Sequence, residues 1–410
     1  MPTRIDKDGY LEIDYFGPYG GLNVQAPANL IADNFSPSLS NFQLRNAELR
    51  SRPVFKNVFQ GPGTPNLGIF SFQDANGTYH TVSWVGPPSA ATGLYQLQPL
   101  SYRQAHPLLN PWVLIPNMSP LQAGIPMSYG AFANVLYWCN GNQYLQAWDG
   151  IATDLNTVIP NTTVKFNDVA VISQANFSWA AANVSIGGYF LGELANHLLI
   201  ANVIANDGTT TVHYPQRLWW SSSGNVEVSP AISPWDITTS GTGGGFNDFL
   251  DCPDVLTGLA FVGIEGYLFR TNGITQFNAT GSGALPFNFD HLWASNRGIG
   301  AAYPWSIASY GPNLCFISYE QIYLIGINSF QAIGGNARDS IMADLYAAIG
   351  TPVCSITSNP RLEYVYFGYQ IAIPQAGGTK YYFFEIEDQN WQVWFVSSKI
   401  QTAREEEVFI

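Results

Sequence analysis

Side chains that could perform acid–base or metal chemistry are few in this chain and widely separated. The five histidines are His80, His106, His197, His213 and His291, and none forms an HExxH or HxH pattern. Those spacings place two imidazoles on one metal ion, so their absence argues against a metalloenzyme. His80 and His213 fall inside predicted strands, where we expect them to make structural hydrogen bonds.

Paired carboxylates and activated nucleophiles are also missing as patterns. Glu385, Glu387 and Asp388 cluster, but they do so at a predicted hairpin turn, where solvated charge is the expected state. Neither a Gly-x-Ser-x-Gly nucleophile elbow nor the Asp-box of sialidase propellers occurs in the chain. The sequence therefore predicts no catalytic residues and no cofactor, and we expect a protein that is not an enzyme.

The cysteines do not form a metal site either. Cys139, Cys252, Cys315 and Cys354 lie far apart, each in or beside an apolar run, without a CxxC pair or a Cys/His cluster. Structural zinc requires such clusters, whereas isolated thiols in apolar runs pack as small hydrophobic groups. We expect buried free thiols and no bound metal.

Two further features could indicate binding of a sugar or of a phosphate. Trp219, Trp220, Trp391 and Trp394 could stack on sugars, although bulky residues in alternating strands ordinarily pack between sheets. The glycine-rich loop Gly241–Gly245 lacks the Lys-Ser/Thr pair of a phosphate-binding loop. Glycan binding therefore stays an alternative, and phosphate binding is not expected.

The composition indicates a folded all-β protein. Charged residues make up 11% of the 410 residues and aromatic residues 14%, with 39 Gly and 26 Pro, unlike the charge-rich composition of disordered chains. The chain contains no run of about 20 apolar residues, so no membrane span is predicted. The N-terminal residues lack the apolar core of a secretory signal, so we expect folding in a cytoplasm.

Charge is distributed unevenly along the chain. Residues 1–60 contain six basic and six acidic side chains, so the net charge of −13 arises entirely from residues 61–410. A region this poor in Lys and Arg cannot gain affinity by neutralising phosphates, which argues against stable binding to nucleic acid.

Repeated hairpin patterns determine the predicted fold. Aliphatic or aromatic runs flank tight turns, most clearly at Tyr144–Gly150, Gly266–Gly273 and Gln321–Ser329. Hairpins recurring every 50–60 residues or so are typical of a β-propeller, because a single four-stranded blade cannot bury both its faces. We predict a β-propeller, six-bladed by count of the strand groups, or seven-bladed if residues 153–190 contain another blade. Its second blade would include a strand at Ala131–Trp138, and one helix is predicted at Ser340–Ile349.

The predicted domain organisation has three parts. Residues 1–62 form an extended N-terminal arm, residues 63–400 form the propeller, and residues 401–410 form an acidic C-terminal tail. Loop insertions are expected near 155–190 and 228–250. The arm ends in a strand near Glu48–Phe59, which we expect to close the propeller beside Gln392–Ser397, because closure removes exposed strand edges.

Several segments occur in a characteristic order along the chain. The N-terminal segments are Gly20-Gly21-Leu22-Asn23, a Pro-containing stretch, Asn41 before a short strand, and Leu49-Arg50-Ser51-Arg52-Pro53. The later segments are Arg217–Ser221 with Gly224-Asn225, Asp251–Leu259, Gly266–Thr275, Gly298-Ile-Gly300, and Pro304-Trp-Ser306 before the Gln321–Gly334 hairpin. Together they resemble one family, the tail nozzle or tail-stabilisation (hub) proteins of short-tailed bacteriophages. The chain departs from the family pattern at Glu320-Gln321, where an Asp-Gly turn is usual, and residues 155–190 match no part of it.

The resemblance implies a structural virion protein. Such a protein forms a homohexameric ring around the DNA-ejection channel, below the head–tail connector, and is assembled in the host bacterial cytoplasm. The implied partners are other copies of the chain, connector or adaptor proteins, tail fibres or spikes, and DNA that passes without sequence-specific binding. The alternative is a receptor- or glycan-binding propeller on a virion or cell surface, and a propeller hydrolase is the third possibility.

One basic cluster is a candidate docking site. Arg45, Arg50, Arg52 and Lys56 place four of the sixteen basic residues within twelve positions. They could be solvated charges flanking a strand. Alternatively, they could dock onto an acidic surface of the connector or of a neighbouring copy.

Overall fold

The computed structural model divides the chain into two compact units. The central unit contains residues 57–319 and 405–409, and the terminal unit contains residues 1–56, 320–404 and 410. The residues described are 3–5, 11–13, 21–22, 35–36, 42–45, 48–51, 66–85, 93–97, 112–115, 125–141, 145–148, 150, 185–206, 210–224, 243–251, 253–283, 285–291, 298–310, 313–326, 329–348, 353–357, 368–376, 378–385 and 390–397.

Six short strands precede the main sheets. They are β1 (Thr3–Ile5), β2 (Leu11–Ile13), β3 (Gly21–Leu22), β4 (Phe35–Ser36), β5 (Phe42–Arg45) and β6 (Glu48–Ser51). They pair as β1 with β2, β3 with β4, and β5 with β6.

The described residues from 66 to 397 form six sheets, each with its antiparallel strands in chain order. Sheet 1 contains β7 (Asn66–Gln73), β8 (Tyr79–Val85), β9 (Gly93–Leu97) and β10 (Trp112–Leu114). Sheet 2 contains β11 (Ser128–Phe132), β12 (Val135–Cys139) and β13 (Gln146–Trp148). Sheet 3 contains β14 (Ser185–Leu194), β15 (His197–Asn206), β16 (Thr211–Trp220) and β17 (Gly245–Asp248).

The later sheets repeat this order. Sheet 4 contains β18 (Leu256–Val262), β19 (Glu265–Arg270), β20 (Ile274–Ala279) and β21 (Phe287–His291). Sheet 5 contains β22 (Ala308–Tyr310), β23 (Asn313–Ile317), β24 (Ile322–Gly326) and β25 (Ser329–Ala332). Sheet 6 contains β26 (Val353–Thr357), β27 (Gly368–Gln375), β28 (Gly378–Glu385) and β29 (Asn390–Ser397). Successive sheets of this kind are the architecture of a β-propeller, and the predicted fold class is confirmed.

Alternation along the strands explains how the sheets of the central unit stack. Leu136 and Trp138 of β12 pack in the core shared with sheet 1, whereas Tyr137 and Cys139 between them pack against sheet 3. Strands buried on both faces place successive side chains in two different cores. Because each fully buried large apolar side chain contributes about 1.5–3 kcal/mol, the stacking of sheets stabilises the unit.

The first strands of neighbouring sheets lie side by side in the central unit, where β11 adjoins β14 and β14 adjoins β18. Strands β14 and β18 can approach each other closely because residue 192 is glycine. A Cβ at this position would lie 2.0 Å from the ring of Phe261 in β18. Glycine at this position lets the ring of one sheet cover the backbone of the next.

The second sheet corrects the sequence prediction. The single predicted strand Ala131–Trp138 is two strands, β11 and β12, joined by a two-residue turn at Ala133 and Asn134. Both turn residues have positive φ, 49° and 62°, as a type I′ hairpin turn requires. The prediction was wrong because Ala-Asn is not among the usual sequences of this turn.

The helix lies close to its predicted position, and the loop insertions remain predictions. Helix α1 spans Arg338–Tyr346 and buries Ile341, Met342 and Leu345. Strands β14 and β17 occupy parts of the two regions where insertions were predicted, while residues 155–184, 228–242 and 401–410 lie outside the described residues. No described helix has the length and apolar character needed to cross a membrane.

The predicted closing strand is observed in part. Within the terminal unit, β6 pairs with β5, and it is β5 that lies next to β29 of sheet 6. Of the predicted strand Glu48–Phe59, residues 48–51 form β6, and residues 52–59 lie outside the described residues. Closure of the propeller by the N-terminal segment remains a prediction.

Candidate functional site

His80 belongs to a buried clamp that holds the first hairpin of sheet 1. Its Nε2 lies 3.1 Å from Oδ2 of Asp74, and its Nδ1 lies 2.8 Å from Nε2 of Gln96. The other carboxylate oxygen of Asp74 accepts hydrogen bonds from the backbone N–H groups of Asn76 and Thr78. The hydrogen bond from His80 is the main reason that the pKa of Asp74 lies below its ordinary value.

The hydrogen-bond pattern of this clamp excludes an acid–base role. An ionised carboxylate only accepts, so Nε2 of His80 carries the proton and Nδ1 accepts from the Gln96 amide. Both ring nitrogens are occupied, and the ring packs between Phe72 and Trp148, with centroids 5.2 and 5.4 Å away. His80 and Asp74 therefore fix the turn, as predicted for a structural histidine.

The other two described imidazoles are structural as well. Nδ1 of His197 lies 2.6 Å from the carbonyl oxygen of Ser221, and burial lowers the pKa of His197. Nε2 of His213 lies 2.5 Å from Oδ1 of Asn202, whose Nδ2 donates to the carbonyl of Leu256 in sheet 4. Asn202 sits at a β-bulge with φ of 58° and so connects two sheets.

Trp219 and Trp220 cannot serve as sugar-stacking platforms. Their side chains are 1% and 7% exposed, with Trp219 in the core between sheets 2 and 3 and Trp220 in the core between sheets 3 and 4. Nε1 of Trp220 donates to the carbonyl of Gly243. The side chains of Trp391 and Trp394 lie outside what the structure describes.

Arg217 joins the third and fourth strands of sheet 3. Its Nε and Nη2 each donate to one carboxylate oxygen of Asp248 over 2.7 Å. The guanidinium lies 3.9 Å from the ring centroids of both Tyr214 and Phe246. This bidentate, stacked arrangement uses the cation fully within the sheet, so Arg217 is not available to bind phosphate.

A second cluster links sheet 4 to the segments on either side of it. Nη1 of Arg270 donates to both carboxylate oxygens of Asp251 over 3.1 and 3.2 Å. Asp254 accepts from the backbone N–H of Asn272 over 2.9 Å. A Cβ at Gly300 would lie 2.1 Å from the carbonyl oxygen of Arg270, so the segment containing Gly300 packs directly on this turn.

A third cluster attaches helix α1 to sheet 6 in the terminal unit. Nζ of Lys380 donates to Oδ2 of Asp344 over 2.5 Å, and the Tyr382 hydroxyl donates to the same oxygen. Oγ of Ser340 lies 2.6 Å from the Tyr382 hydroxyl. Burial, reinforced by the hydrogen bond to Asp344, raises the pKa of Tyr382 well above its ordinary value.

The predicted basic docking cluster lies only partly within the described residues. Arg45 is opposite Glu48, and Arg50 is opposite Gln43, in the β5–β6 hairpin. Arg52 and Lys56 lie outside the described residues.

The described cysteines match their predicted state. Cys139 and Cys315 are buried free thiols, and burial raises the pKa of Cys139 to about 12. A thiol held in its protonated form is neither a nucleophile nor a metal ligand. Among the described residues, no group of three or more His, Cys, Asp or Glu side chains could hold a metal ion.

Two residues on the first strands have unusual exposure. Tyr129 of β11 is 46% exposed, and its ring stacks on Phe70 with centroids 4.0 Å apart. Glu193 of β14 is exposed, yet desolvation raises its pKa.

Sequence reasoning missed the partners in these clusters. Asp74, Gln96, Asp344 and Tyr382 are far from any recognised motif, and only the pairing of strands brings their atoms together. The Asp-x-x-Gly turn at Asp74–Gly77 was the one available signal, since Asp at the start of a turn caps its backbone.

Comparisons with known proteins do not assign a function. No family model matches the chain, and no curated protein matches it. Among solved structures, apo AztD from Citrobacter koseri is 8% identical, with 80% of this chain and 89% of that chain covered, at a TM-score of 0.31. The AfRom2 CNH domain is 10% identical over 79% of this chain and 94% of that chain, with a TM-score of 0.28.

A third similar structure is a fungal lectin, Aleuria aurantia lectin, described as a six-bladed β-propeller with a fucose recognition mode. It is 12% identical over 80% of this chain and 91% of the lectin, with a TM-score of 0.29. Structural similarity this limited supports no argument about this chain. The fold of this chain is assigned from the order of its own strands.

Proposed function

We propose that this chain is a structural subunit of a bacteriophage tail, a nozzle protein that forms a six-membered ring around the DNA-ejection channel. It would lie below the head–tail connector, contact connector or adaptor proteins, and carry fibres or spikes. It would act in the virion, after assembly in the host bacterial cytoplasm.

The observation that carries the proposal is that segments resembling the nozzle family contact one another. Asp251 binds Arg270, and Gly300 packs on the carbonyl of Arg270, so three separate segments of the resemblance meet at one turn. Segments that pack together as a framework are expected of a shared fold.

The charge of the chain supports the same proposal. Lys and Arg on the wall of a DNA channel would bind phosphates and slow passage, whereas acidic groups would not. The net charge of −13 adds a general repulsion of DNA.

Glycan binding is the second candidate function, and Tyr129 is the observation that favours it. Phe70 supports one face of its ring while about half of the side chain stays exposed, an arrangement on which a sugar can stack. This candidate predicts an isolated or peripheral position in a particle or on a cell surface.

Cryo-electron microscopy of the native assembly that contains this chain tests the proposal and distinguishes the two candidates. We expect six copies around a central axis, adjacent to a connector ring and enclosing a channel with more Asp and Glu than Lys and Arg. A channel lined by basic groups, or a peripheral propeller without a central axis, would contradict the nozzle and favour glycan binding.

Docking by the basic cluster is tested by charge reversal. We expect the double variant Arg50→Glu/Arg52→Glu to fold normally but to be absent from particles, because it would repel an acidic docking surface. The matched control is Arg4→Glu/Lys7→Glu, which changes the net charge by the same amount elsewhere in the N-terminal segment. Incorporation of the Arg50/Arg52 variant at the wild-type level would refute docking by this cluster.

A further inference from the structure

The chain contains three Asn-Gly pairs, which begin at Asn76, Asn140 and Asn272. In such a pair the backbone nitrogen of the glycine can attack the asparagine side chain, because glycine has no Cβ to obstruct the approach. All three pairs lie within the described residues. They differ in exposure, in hydrogen bonding and in what packs on the glycine.

The pair Asn140-Gly141 is buried where sheet 2 meets sheet 3. The side chain of Asn140 is 0% exposed, and the backbone N–H of Gly141 donates to the carbonyl of Gly188 in β14 over 2.7 Å. A Cβ at Gly141 would lie 2.4 Å from the ring of Tyr189, so this ring covers the glycine. The two sheets would have to separate before the pair could react.

The pair Asn272-Gly273 is held by its neighbours. The backbone N–H and the side-chain Nδ2 of Asn272 donate to the two carboxylate oxygens of Asp254, over 2.9 and 3.3 Å. Gly273 is buried, and a Cβ at Gly300 would lie 2.5 Å from its backbone nitrogen. The attacking nitrogen is therefore covered, and the side chain that it would attack is tied to a carboxylate.

The pair Asn76-Gly77 lies open at the tip of the β7–β8 hairpin. Both residues are exposed, and the side-chain amide of Asn76 makes no hydrogen bond to another described residue. The backbone N–H of Gly77 donates to the carbonyl of Asp74 over 3.0 Å, and its carbonyl accepts from Nε2 of Gln73 over 2.9 Å. These exposed bonds can break by local opening of the tip, which costs far less than separating sheets.

We propose that Asn76 is a site of spontaneous deamidation, with water as the co-reactant. When the tip opens, the backbone nitrogen of Gly77 gives its proton to solvent and attacks Cγ of Asn76. The new C–N bond closes a five-membered succinimide as the bond to Nδ2 breaks, and Nδ2 leaves as ammonia. Water then adds to either ring carbonyl and reopens the ring, which yields aspartate or isoaspartate and needs no oxidant or reductant.

The isoaspartate product would disrupt the hairpin, because it adds one carbon to the main chain between residues 76 and 77. The bonds that close the turn span this position, since Asp74 donates its N–H to the carbonyl of Thr78 and accepts from the N–H of Thr78 at Oδ1. Asp74 also holds His80, so a displaced turn would loosen the clamp of sheet 1. The reaction needs only the folded chain and water, and it does not depend on the proposed assembly role.

Peptide mapping by mass spectrometry, after incubation of the full chain at mildly alkaline pH, tests the proposal. The same chain in concentrated guanidinium gives the rate at each pair without tertiary structure. We expect the ratio of folded to unfolded rate to be at least about tenfold higher at Asn76 than at Asn140 or Asn272. Equal ratios at Asn76 and Asn272, or a lower ratio at Asn76, would overturn the proposal.

Two variants with one exposed hydrogen bond fewer test whether opening of the tip sets the rate. Gln73→Ala removes the bond to the carbonyl of Gly77 and should raise the rate at Asn76 alone. Ser71→Ala removes the bond to Thr81 in the same hairpin, and this matched control should keep the wild-type rate. An unchanged rate in Gln73→Ala would refute control by the turn.

Thermal unfolding of incubated samples measures the consequence for the clamp. We expect the unfolding temperature of the wild type to fall as its isoaspartate content rises, whereas Asn76→Gln, whose longer side chain closes the ring poorly, should keep its value. Asn272→Gln is the matched control and should lose stability on incubation like the wild type. A wild type that accumulates isoaspartate at residue 76 without loss of stability would show that the clamp tolerates the longer chain.

Discussion

Several buried polar side chains in this protein are matched by partners on neighbouring strands. His80 uses both ring nitrogens, and the two oxygens of Asp74 are divided between His80 and the turn backbone. A buried polar group without a partner costs about 1–3 kcal/mol, so these networks specify the positions of turns and strands. His80 is a structural residue because both of its ring nitrogens are used in hydrogen bonds inside the fold.

Tyr382 gives the protein a dependence on alkaline pH. Because its pKa is raised in the folded state, the folded chain keeps the phenol proton after the unfolded chain has lost it near pH 10. Its contribution is complete below about pH 10 and is lost as pH rises through the folded pKa. The free energy of unfolding should therefore fall by about 1.4 kcal/mol per pH unit from this group alone.

Urea unfolding between pH 9 and 11 measures this effect. We expect Tyr382→Phe to be less stable at neutral pH, where it loses the bonds to Asp344 and Ser340, and to show a shallower decline above pH 10. Tyr79→Phe removes an exposed hydroxyl group and should keep the wild-type slope. Equal slopes for wild type and Tyr382→Phe would show that the phenol does not resist ionisation.

At the scale of elements, two close contacts between strands and turns are possible only because one of the contacting residues is glycine. Gly192 lets the ring of Phe261 cover β14, and Gly300 lets its segment rest on the turn after β19. In both places the neighbour already occupies the position that a Cβ would take.

Gly300→Ala should therefore destabilise the central unit substantially. The new Cβ would lie 2.1 Å from the carbonyl oxygen of Arg270 and 2.5 Å from the backbone nitrogen of Gly273, and backbone atoms cannot rotate away as a side chain can. We expect a loss of about 1–3 kcal/mol or more in the free energy of unfolding. Chemical denaturation of the purified variant measures it.

Gly283→Ala is the control for this substitution. No atom lies within 4 Å of the position that its Cβ would take, so we expect a change within about 0.5 kcal/mol. Similar stabilities for the two variants would mean that the contact at Gly300 relaxes without cost.

At the scale of the whole molecule, charge is distributed unequally along the chain. The N-terminal sixty residues are balanced in charge, and the acidic excess belongs to the remainder of the chain. The proposed function uses the acidic excess as a barrier to DNA binding.

Much of the fold follows from local patterns. The hairpins at Gly266–Gly273 and Gln321–Ser329, the helix near Ser340 and the buried state of Cys139 were predictable because alternation, turn residues and capping act between near neighbours. The Ala133-Asn134 turn was not, since its positive φ values are imposed by the twist of the flanking strands and not by a residue type that favours them.

Trp305 shows the same limit. It has a φ of 69°, one residue after Pro304, and the backbone N–H of Ser306 donates to the carbonyl of Tyr303. This is the pattern of a type II turn, in which glycine ordinarily takes the Trp305 position. Packing of its ring 5.0 Å from that of Phe190 is a tertiary contact that offsets the strain, and no local rule predicts it.

The sequence by itself determined the all-β class, the repeated hairpins, the excess of acidic residues and the lack of a catalytic pattern, because each of these depends on composition or on residues close together in the chain. Only the tertiary structure decided that Trp219 and Trp220 are buried and that Asp74 holds His80. These features join residues tens of positions apart, and the stacking of sheets, which local sequence does not encode, brings them together.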